Sequence, residues 1–301
     1  MSRSAYYRSL IATAEPLLLD TIVSPEAYSL QRISNSYTGH CIRVRRSSDN
    51  AVLDVGFIDN ALDTAAILSF CGAGNGFVVR IYNQGTLGGF IERNGATREP
   101  QIVATGSMIT EGGLPALTFN GANGLFKSGA FNLLQNKSSA SIYSVYRYTS
   151  NPTTYRAVIS VSIFAAGGFP SAGQRMDQAG GGVSNRHSVA GRRLDANTTQ
   201  THSGTVATTT SARILNTSQI DWANSNAHIY INGVLDSTNT TFLTDGNTSN
   251  TTSRGLTIGG IEGGTVLFAP AQMRWQETII VEDMNNQSVI ESNINSRYSI
   301  Y

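Results

Sequence analysis

Short runs in which apolar and polar residues alternate, each closed by a turn dipeptide, constrain this chain more than any other feature. The runs are Cys41-Ile42-Arg43-Val44-Arg45, Gly76 to Tyr82, Ala140 to Tyr148 and Ala157 to Ile163. Between and beside such runs stand Asn75-Gly76, Asn94-Gly95, Asn120-Gly121, Asn123-Gly124 and Asn232-Gly233. A period of two gives a strand one buried and one wet face. Asn-Gly tolerates the positive φ values that tight hairpins need. The clearest hairpin is His228 to Leu235, followed by strands at Arg254 to Gly260 and Met273 to Val281. Closely spaced strands without intervening helices predict an all-β, two-sheet sandwich of jelly-roll type.

Two short helices are expected against it. Asn60 or Asp59 would cap one over Ala61 to Phe70, with Leu62, Ala65, Ala66 and Phe70 on one face. The second, Asn285 to Tyr298, places Val289, Ile290 and Ile294 at helical spacing. Ala165 to Gly204 is rich in Gly, Ser, Asn, Gln and Arg and reads as long polar loops, the usual seat of recognition on a sandwich.

Composition removes several functions. The 21 basic and 20 acidic residues give a formal charge of +1, with no field to gather nucleic acid. No apolar run approaches the roughly 18 residues of a membrane-spanning helix, and the start does not read as a signal peptide. The two cysteines, Cys41 and Cys71, cannot build a disulfide scaffold. They read as buried small hydrophobes, with one bond between them left open. His40, His187, His202 and His228 show no metal-ligand spacing, and no cofactor motif occurs.

The first 26 residues differ from the rest. Tyr6, Tyr7, Leu10 and Ile11 recur at helix-like spacing, and Leu17, Leu18 and Leu19 follow Pro16. Such an arm either folds back on its own domain or docks on another protein. The docking reading divides the chain into an arm, 1–26, and a sandwich, 27–301.

Tyr28 to Arg32, Ile42 to Asn50 and Ile81-Tyr82-Asn83-Gln84, taken in order, resemble stretches of the catalytic domain of glycoside hydrolase family 54, the α-L-arabinofuranosidases. The likeness begins at Tyr28 to Arg32 and Ile42 to Asn50. It continues through Leu62-Asp63-Thr64-Ala65, Phe70-Cys71 and Ile81-Tyr82-Asn83-Gln84. It ends with Thr257-Ile258-Gly259-Gly260 and Asn286 to Ile294. The resemblance implies a concanavalin-like sandwich. Domains of this kind also occur in phage virion proteins, as parts of fibres, spikes and decorations. In the enzymes an acidic residue directly follows the late Gly-Gly. Here Ile261 stands there and Glu262 comes one residue later, a shift expected to turn the side chain to the other face. No Glu aligns with the enzymes' nucleophile; Asp195 lies nearest. The family's short disulfide keeps Cys71 but meets Gly76 at the partner position.

Glu262 with Asp195 is therefore the candidate catalytic pair if the chain is a hydrolase, with Asp177 and Glu277 as substitutes. The favoured expectation is a non-enzymatic virion surface protein, a capsid decoration, head fibre or tail attachment component. It would attach to other virion proteins through Tyr6, Tyr7, Leu10, Ile11 and Leu17 to Leu19, form a homo-oligomer such as a trimer, and bind host surface glycan. Asn83, Trp222 and His187 are the candidate glycan contacts.

Overall fold

A computed structural model describes residues 15–93, 98–162, 174–181, 185–262 and 266–301. The expected all-β sandwich forms. In the front layer all strands are antiparallel. Val52–Val55, Ile42–Arg46, Gly76–Tyr82, Phe90–Glu92 and Leu125–Phe131 lie side by side. The layer continues through Ser253–Ile258, Arg156–Val161, Arg175–Gly180, Arg186–Arg192 and Gln200–Ala207. The back layer is centred on Gln272–Val281. On one side it pairs with Glu26–Ser29 and Leu117–Asn120. On the other follow Ser139–Tyr148, Ile214–Asp221, Asn226–Ile231 and Val234–Asn239.

The core between the layers contains Ile42, Val44, Ile81, Leu256, Ile258, Ile142, Tyr146 and Trp275. Alternation then sends Tyr143, Val145, Ile279 and Val281 to the outer face of the back layer. There they meet Leu18, Ile290, Ile294 and Tyr298 in a second cluster. Both faces of the back layer are thus covered, which explains the nearly continuous apolar run near Val281.

Several expectations change. The early helix is Thr64–Cys71 and its cap is Asp63, whose side chain accepts from the Ala66 N–H. Asp59 has a φ of 54° and closes the turn joining Phe57–Ile58 to Ala61–Leu62, so no helix can start before Asp63. Its buried residues are Ile67 and Cys71. The last helix, Gln287–Tyr298, buries Ile290, Glu291, Ile294 and Tyr298, while Val289 is exposed. The region expected to be loops between 165 and 204 carries the strands Arg175–Gly180, Arg186–Arg192 and the start of Gln200–Ala207. Among the Asn-Gly pairs described, Asn232-Gly233 alone has both φ values positive, 53° and 76°. Asn75 instead accepts the Thr105 N–H with its side chain, and Asn123 accepts that of Asn120. Asn94-Gly95 lies outside the described residues.

Part of the arm belongs to the body. Leu18 is 2% exposed in the second cluster and Leu19 packs against it. The Leu19 N–H donates to the Ile33 carbonyl at 2.8 Å. Leu17 is half-buried. Glu26 opens a core strand, and its buried carboxylate meets Lys127 at 2.6 Å. The boundary at residue 26 therefore falls inside the folded domain, and Leu18 is consumed by its own subunit. Tyr6, Tyr7, Leu10 and Ile11 lie outside the described residues. Both cysteines are buried and unbonded. A Cβ built on Gly76 would lie 2.8 Å from the Cys71 Sγ, so glycine fills the place where the resembling family has its bridge. Among the described residues no helix is long and apolar enough to cross a membrane.

Candidate functional site

Residues directly opposite across paired strands share a face. Along the front layer the partners run Asp54, Arg43, Arg80, Glu92 and Phe126. The row continues through Thr257, Ser160, Asp177 and Ala190. Their strand neighbours Ile42, Ile81, Leu256 and Ile258 fill the core, so this row occupies the outer face. It is a charged stripe running through most of the strands of one sheet.

One half of the stripe is accessible. Arg43 forms a two-point bond with Asp54, its Nε and Nη2 donating at 2.8 and 2.6 Å. That fork holds the Asp54 carboxyl at about 2. The Tyr82 hydroxyl donates to the same carboxylate at 2.7 Å. Arg80 pairs with Glu92 at 2.5 Å, and its guanidinium lies 3.5 Å from the Phe90 ring centre. The Tyr82 and Phe90 rings stand edge to face, 6.0 Å apart, and His40 approaches Tyr82 at 5.8 Å. All of these residues are partly exposed, and His40 is the most open of them. Half-exposed aromatic rings beside planar charged groups suit the apolar faces and hydroxyls of a sugar.

The other half is buried. Asp177 is 0% exposed, takes the Ser160 hydroxyl at 2.6 Å and the Tyr155 hydroxyl at 3.0 Å, and pairs with Arg175. Glu262 is 3% exposed and stands 3.0 Å from Arg93. The Arg93 guanidinium lies 5.0 Å from the Phe126 ring centre, on the striped face. The Glu262 N–H donates to the Thr257 hydroxyl at 3.3 Å. Thr257 and Ser160 are register partners, so the backbone of Glu262, bonded to Thr257, sits one strand away from the Asp177 side of the stripe. The Arg93 contact is close but poorly directed: neither Glu262 oxygen has a hydrogen-bond partner among the described residues.

The expected pair of Glu262 and Asp195 does not assemble. Asp195 is exposed in the turn after Arg192 and accepts the Thr251 hydroxyl at 2.8 Å. Thr251 precedes the strand Ser253–Ile258, whereas Thr257, beside Glu262, lies near its end. Four residues of strand separate Ser253 from Thr257, about 13 Å at roughly 3.3 Å per residue. Asp177, the substitute, is on the stripe. Glu277, the other substitute, is on the back layer, clamped by Arg297 at 2.6 and 2.7 Å and by Ser29. The one-residue displacement after Gly259-Gly260 does not turn Glu262 away. Gly259 has a φ of 93°, and the strand it leads into is two residues long, so the turn sets the phase there.

All three expected glycan contacts are buried. The Asn83 side chain accepts from the N–H groups of Ala27 and Gly85 and donates to the carbonyls of Pro25 and Gly88. It clamps a turn to the first strand. Trp222 is fully buried in the main core. His187 is 1% exposed, against Tyr146 and Asn216, and burial pushes its imidazole down to about 4. The residues missed, Arg80, Tyr82, Phe90 and Glu92, were legible as period-two partners within two short strands. Among the described residues, no three His, Cys, Asp or Glu side chains gather to hold a metal.

No protein-family model matches the chain, and no curated protein sequence matches it. Solved structures do share its fold. An arabinofuranosidase complexed with arabinofuranosyl-α-1,2-xylobiose superposes with a TM-score of 0.63 at 12% identity, over 92% of this chain and 63% of that one. A GH54 α-L-arabinofuranosidase soaked with a cyclic sulfate inhibitor gives 0.61 at 11% identity, over 90% and 62%. A mutant GH54 α-L-arabinofuranosidase soaked with 4-nitrophenyl α-L-arabinofuranoside gives 0.62 at 13% identity, over 90% and 62%. This chain spans under two thirds of the length of those proteins. At these identities the likeness establishes a shared GH54-like β-sandwich.

Proposed function

We propose that this chain is a non-catalytic glycan-binding protein whose accessible patch around Arg80, Tyr82 and Phe90 receives the sugar. The observation that carries the reading is the division of the stripe. Exposed rings and guanidinium groups stand at one end, while the carboxylates at the other are each tied to an arginine. A glycosidase needs one carboxyl group to deliver a proton and the other to act on the sugar or a water. Neutralising Glu262 here would leave Arg93 buried without its counter-charge, a cost of about 3–5 kcal/mol. That the fold is shared with arabinofuranosidases is a fold-level analogy, and function has to come from the site.

As setting we propose the surface of a virus particle. The support is the apolar spacing of Tyr6, Tyr7, Leu10 and Ile11 near the start of the sequence. These residues would attach a homo-oligomer, such as a trimer, to other virion proteins, with the patch turned toward host glycan. Removing residues 1–14 should abolish incorporation into particles while leaving a folded domain; normal incorporation of the truncated chain rules this attachment out.

The test of binding is a glycan array on the purified chain, run beside hydrolysis of 4-nitrophenyl α-L-arabinofuranoside. Wild type should bind at least one glycan class, Tyr82→Ala should lose at least about tenfold of that affinity, and no aryl glycoside should be turned over. Unchanged binding by Tyr82→Ala defeats the patch. One observation favours a second reading, hydrolysis by Glu262 with Asp177: both Glu262 oxygens lack hydrogen bonds among the described residues. Turnover that disappears in both Glu262→Gln and Asp177→Asn would establish it.

A further inference from the structure

A cleft lies away from the stripe, where chain crossings between the layers meet. The loop after Ser139–Tyr148, the turn after Leu117–Asn120 and the entry to Gln272–Val281 enclose a cleft of about 140 Å³. Its polar lining is Ser150, Asn151, Thr153, Arg156 and Gln272. Pro152 and Pro270 form rigid wall positions, with φ held near −65°. Gly121, at φ 85°, supplies the remaining floor, and a Cβ there would lie 2.9 Å from the Gln272 Cγ. The turn and the amide are thus fitted to each other, and only glycine leaves the Gln272 side chain where it is.

The lining is chemically one-sided. Among the described residues it holds a half-buried guanidinium and no carboxylate. Arg43, Arg45, Arg46, Arg80, Arg93, Arg147, Arg175, Arg274 and Arg297 sit in ion pairs, and Arg32, Arg186, Arg193 and Arg213 donate to amide, hydroxyl or carbonyl oxygens, so each of these guanidinium groups has an acceptor. Arg156 has none among the described residues. The side chains of Ser150, Asn151, Thr153 and Gln272 likewise have no hydrogen-bond partner among them. Five polar side chains line one space, Arg156 half-buried and the other four exposed, and none of the five is committed to a side-chain partner among the described residues. A guanidinium presents a planar fork that matches a carboxylate at two points. The neutral amides and hydroxyls around it suit the hydroxyl groups of the same ligand. The volume is small beside the roughly 300–1,000 Å³ of drug-sized pockets, so it takes one residue and not a chain.

We infer that this cleft binds a single polyhydroxylated carboxylate, an acidic monosaccharide, with Arg156 on the carboxylate and Asn151 and Gln272 on the hydroxyls. The site is independent of the Tyr82 patch and stands or falls separately from it.

The test titrates the whole chain, followed by amide NMR shifts, with four probes: glucuronate, glucose, acetate and inorganic phosphate. Glucuronate should shift resonances of residues 150–156 and 272. Glucose should not, and acetate and phosphate should bind at least about tenfold more weakly than glucuronate. Arg156→Gln should reduce glucuronate affinity at least tenfold, and Gln272→Ala severalfold, with Tyr82→Ala without effect. Thermal melts show that the variants fold, and Arg156→Lys, which keeps the charge but not the fork, should recover only part of the affinity. No glucuronate binding, equal binding by Arg156→Gln, or equal affinity for glucose, acetate or phosphate each overturns the assignment.

Discussion

Replacing Glu262 by Gln separates a structural acid from a catalytic one. Glu262 is 3% exposed and Arg93 8%, with 3.0 Å between them. Gln has nearly the same shape, so packing is preserved and the change isolates the charge. Breaking a buried ion pair by removing one partner costs about 3–5 kcal/mol, because the other charge stays buried and uncompensated. The contact here is close but undirected, without a hydrogen bond, which places the expected loss at the lower end, about 3 kcal/mol. For a chain of this size that lowers Tm by about 6 °C, at roughly 2 °C per kcal/mol. Adding Arg93→Met to Glu262→Gln removes the stranded charge and should restore most of the loss, a coupling that a double-mutant cycle reads directly. The assay is denaturant or thermal unfolding of wild type, both single variants and the double variant. A Glu262→Gln protein as stable as wild type, or more so, refutes the reasoning. A carboxylate whose neutralisation stabilises the fold is being held there at a cost, which is the mark of a site kept for chemistry.

The remaining predictions concern the cysteine site and the buried histidine. Gly76→Cys should form a disulfide with Cys71, because the added Cβ falls 2.8 Å from its Sγ; the Val103 side chain at 3.2 Å has to give slightly. Closing so short a loop should add about 2 kcal/mol in the chain-entropy account. Thiol titration and a melt check it, and three free thiols after oxidation would show that the geometry does not close. His187 is held neutral, with its imidazole at about 4 in the fold against an ordinary 6.5. The unfolded chain binds that proton first, so its contribution is complete above about pH 6.5 and is lost as pH falls toward 4, by about 3 kcal/mol. His187→Gln should show a correspondingly flatter stability profile over that window; identical slopes for the two proteins would contradict the burial argument.

The strands were legible wherever one face is apolar and the other polar. Gly76–Tyr82 and Ser139–Tyr148 declare themselves by period two and by β-branched and aromatic residues. Arg175–Gly180 did not, because Asp177 and Gln178 are polar on both faces and both are fully buried. Asp177 is satisfied by Ser160 and Arg175, and Gln178 donates to the carbonyls of Ile142 and Asn216. A strand that buries polar side chains on both faces, held by bonds inside the protein, carries no alternating pattern for a sequence to display. Trp222 misled for the opposite reason. Asp221 ends a strand and accepts from the Asn224 amide in the following turn, and the indole between them points into the main core. The start of the early helix is not legible in the sequence because a turn residue and a cap look alike: Asp59 and Asp63 are both Asp, and only the positive φ at Asp59 assigns it to the turn.

The functional reading finally turns on phase along a strand. Tyr82-Asn83-Gln84 matches a motif of the resembling enzymes, yet its members do different work. Tyr82 points outward onto the stripe, whereas Asn83 and Gln84 point inward and bind the carbonyls and N–H groups of residues 25–33. A match to such a motif therefore attests mostly to the clamp that shapes the fold, which two of its three residues build. The same logic governs the late Gly-Gly. The displacement of the acid by one residue would eliminate it from a long, regular strand, since each step there changes face. After Gly259 the ladder is too short to impose that rule, and Glu262 reaches the stripe regardless. Displacement in the sequence is thus no argument that the acid was lost. What weighs against hydrolysis is the company Glu262 keeps, since Arg93 is buried beside it and has no other acid to lean on among the described ion pairs.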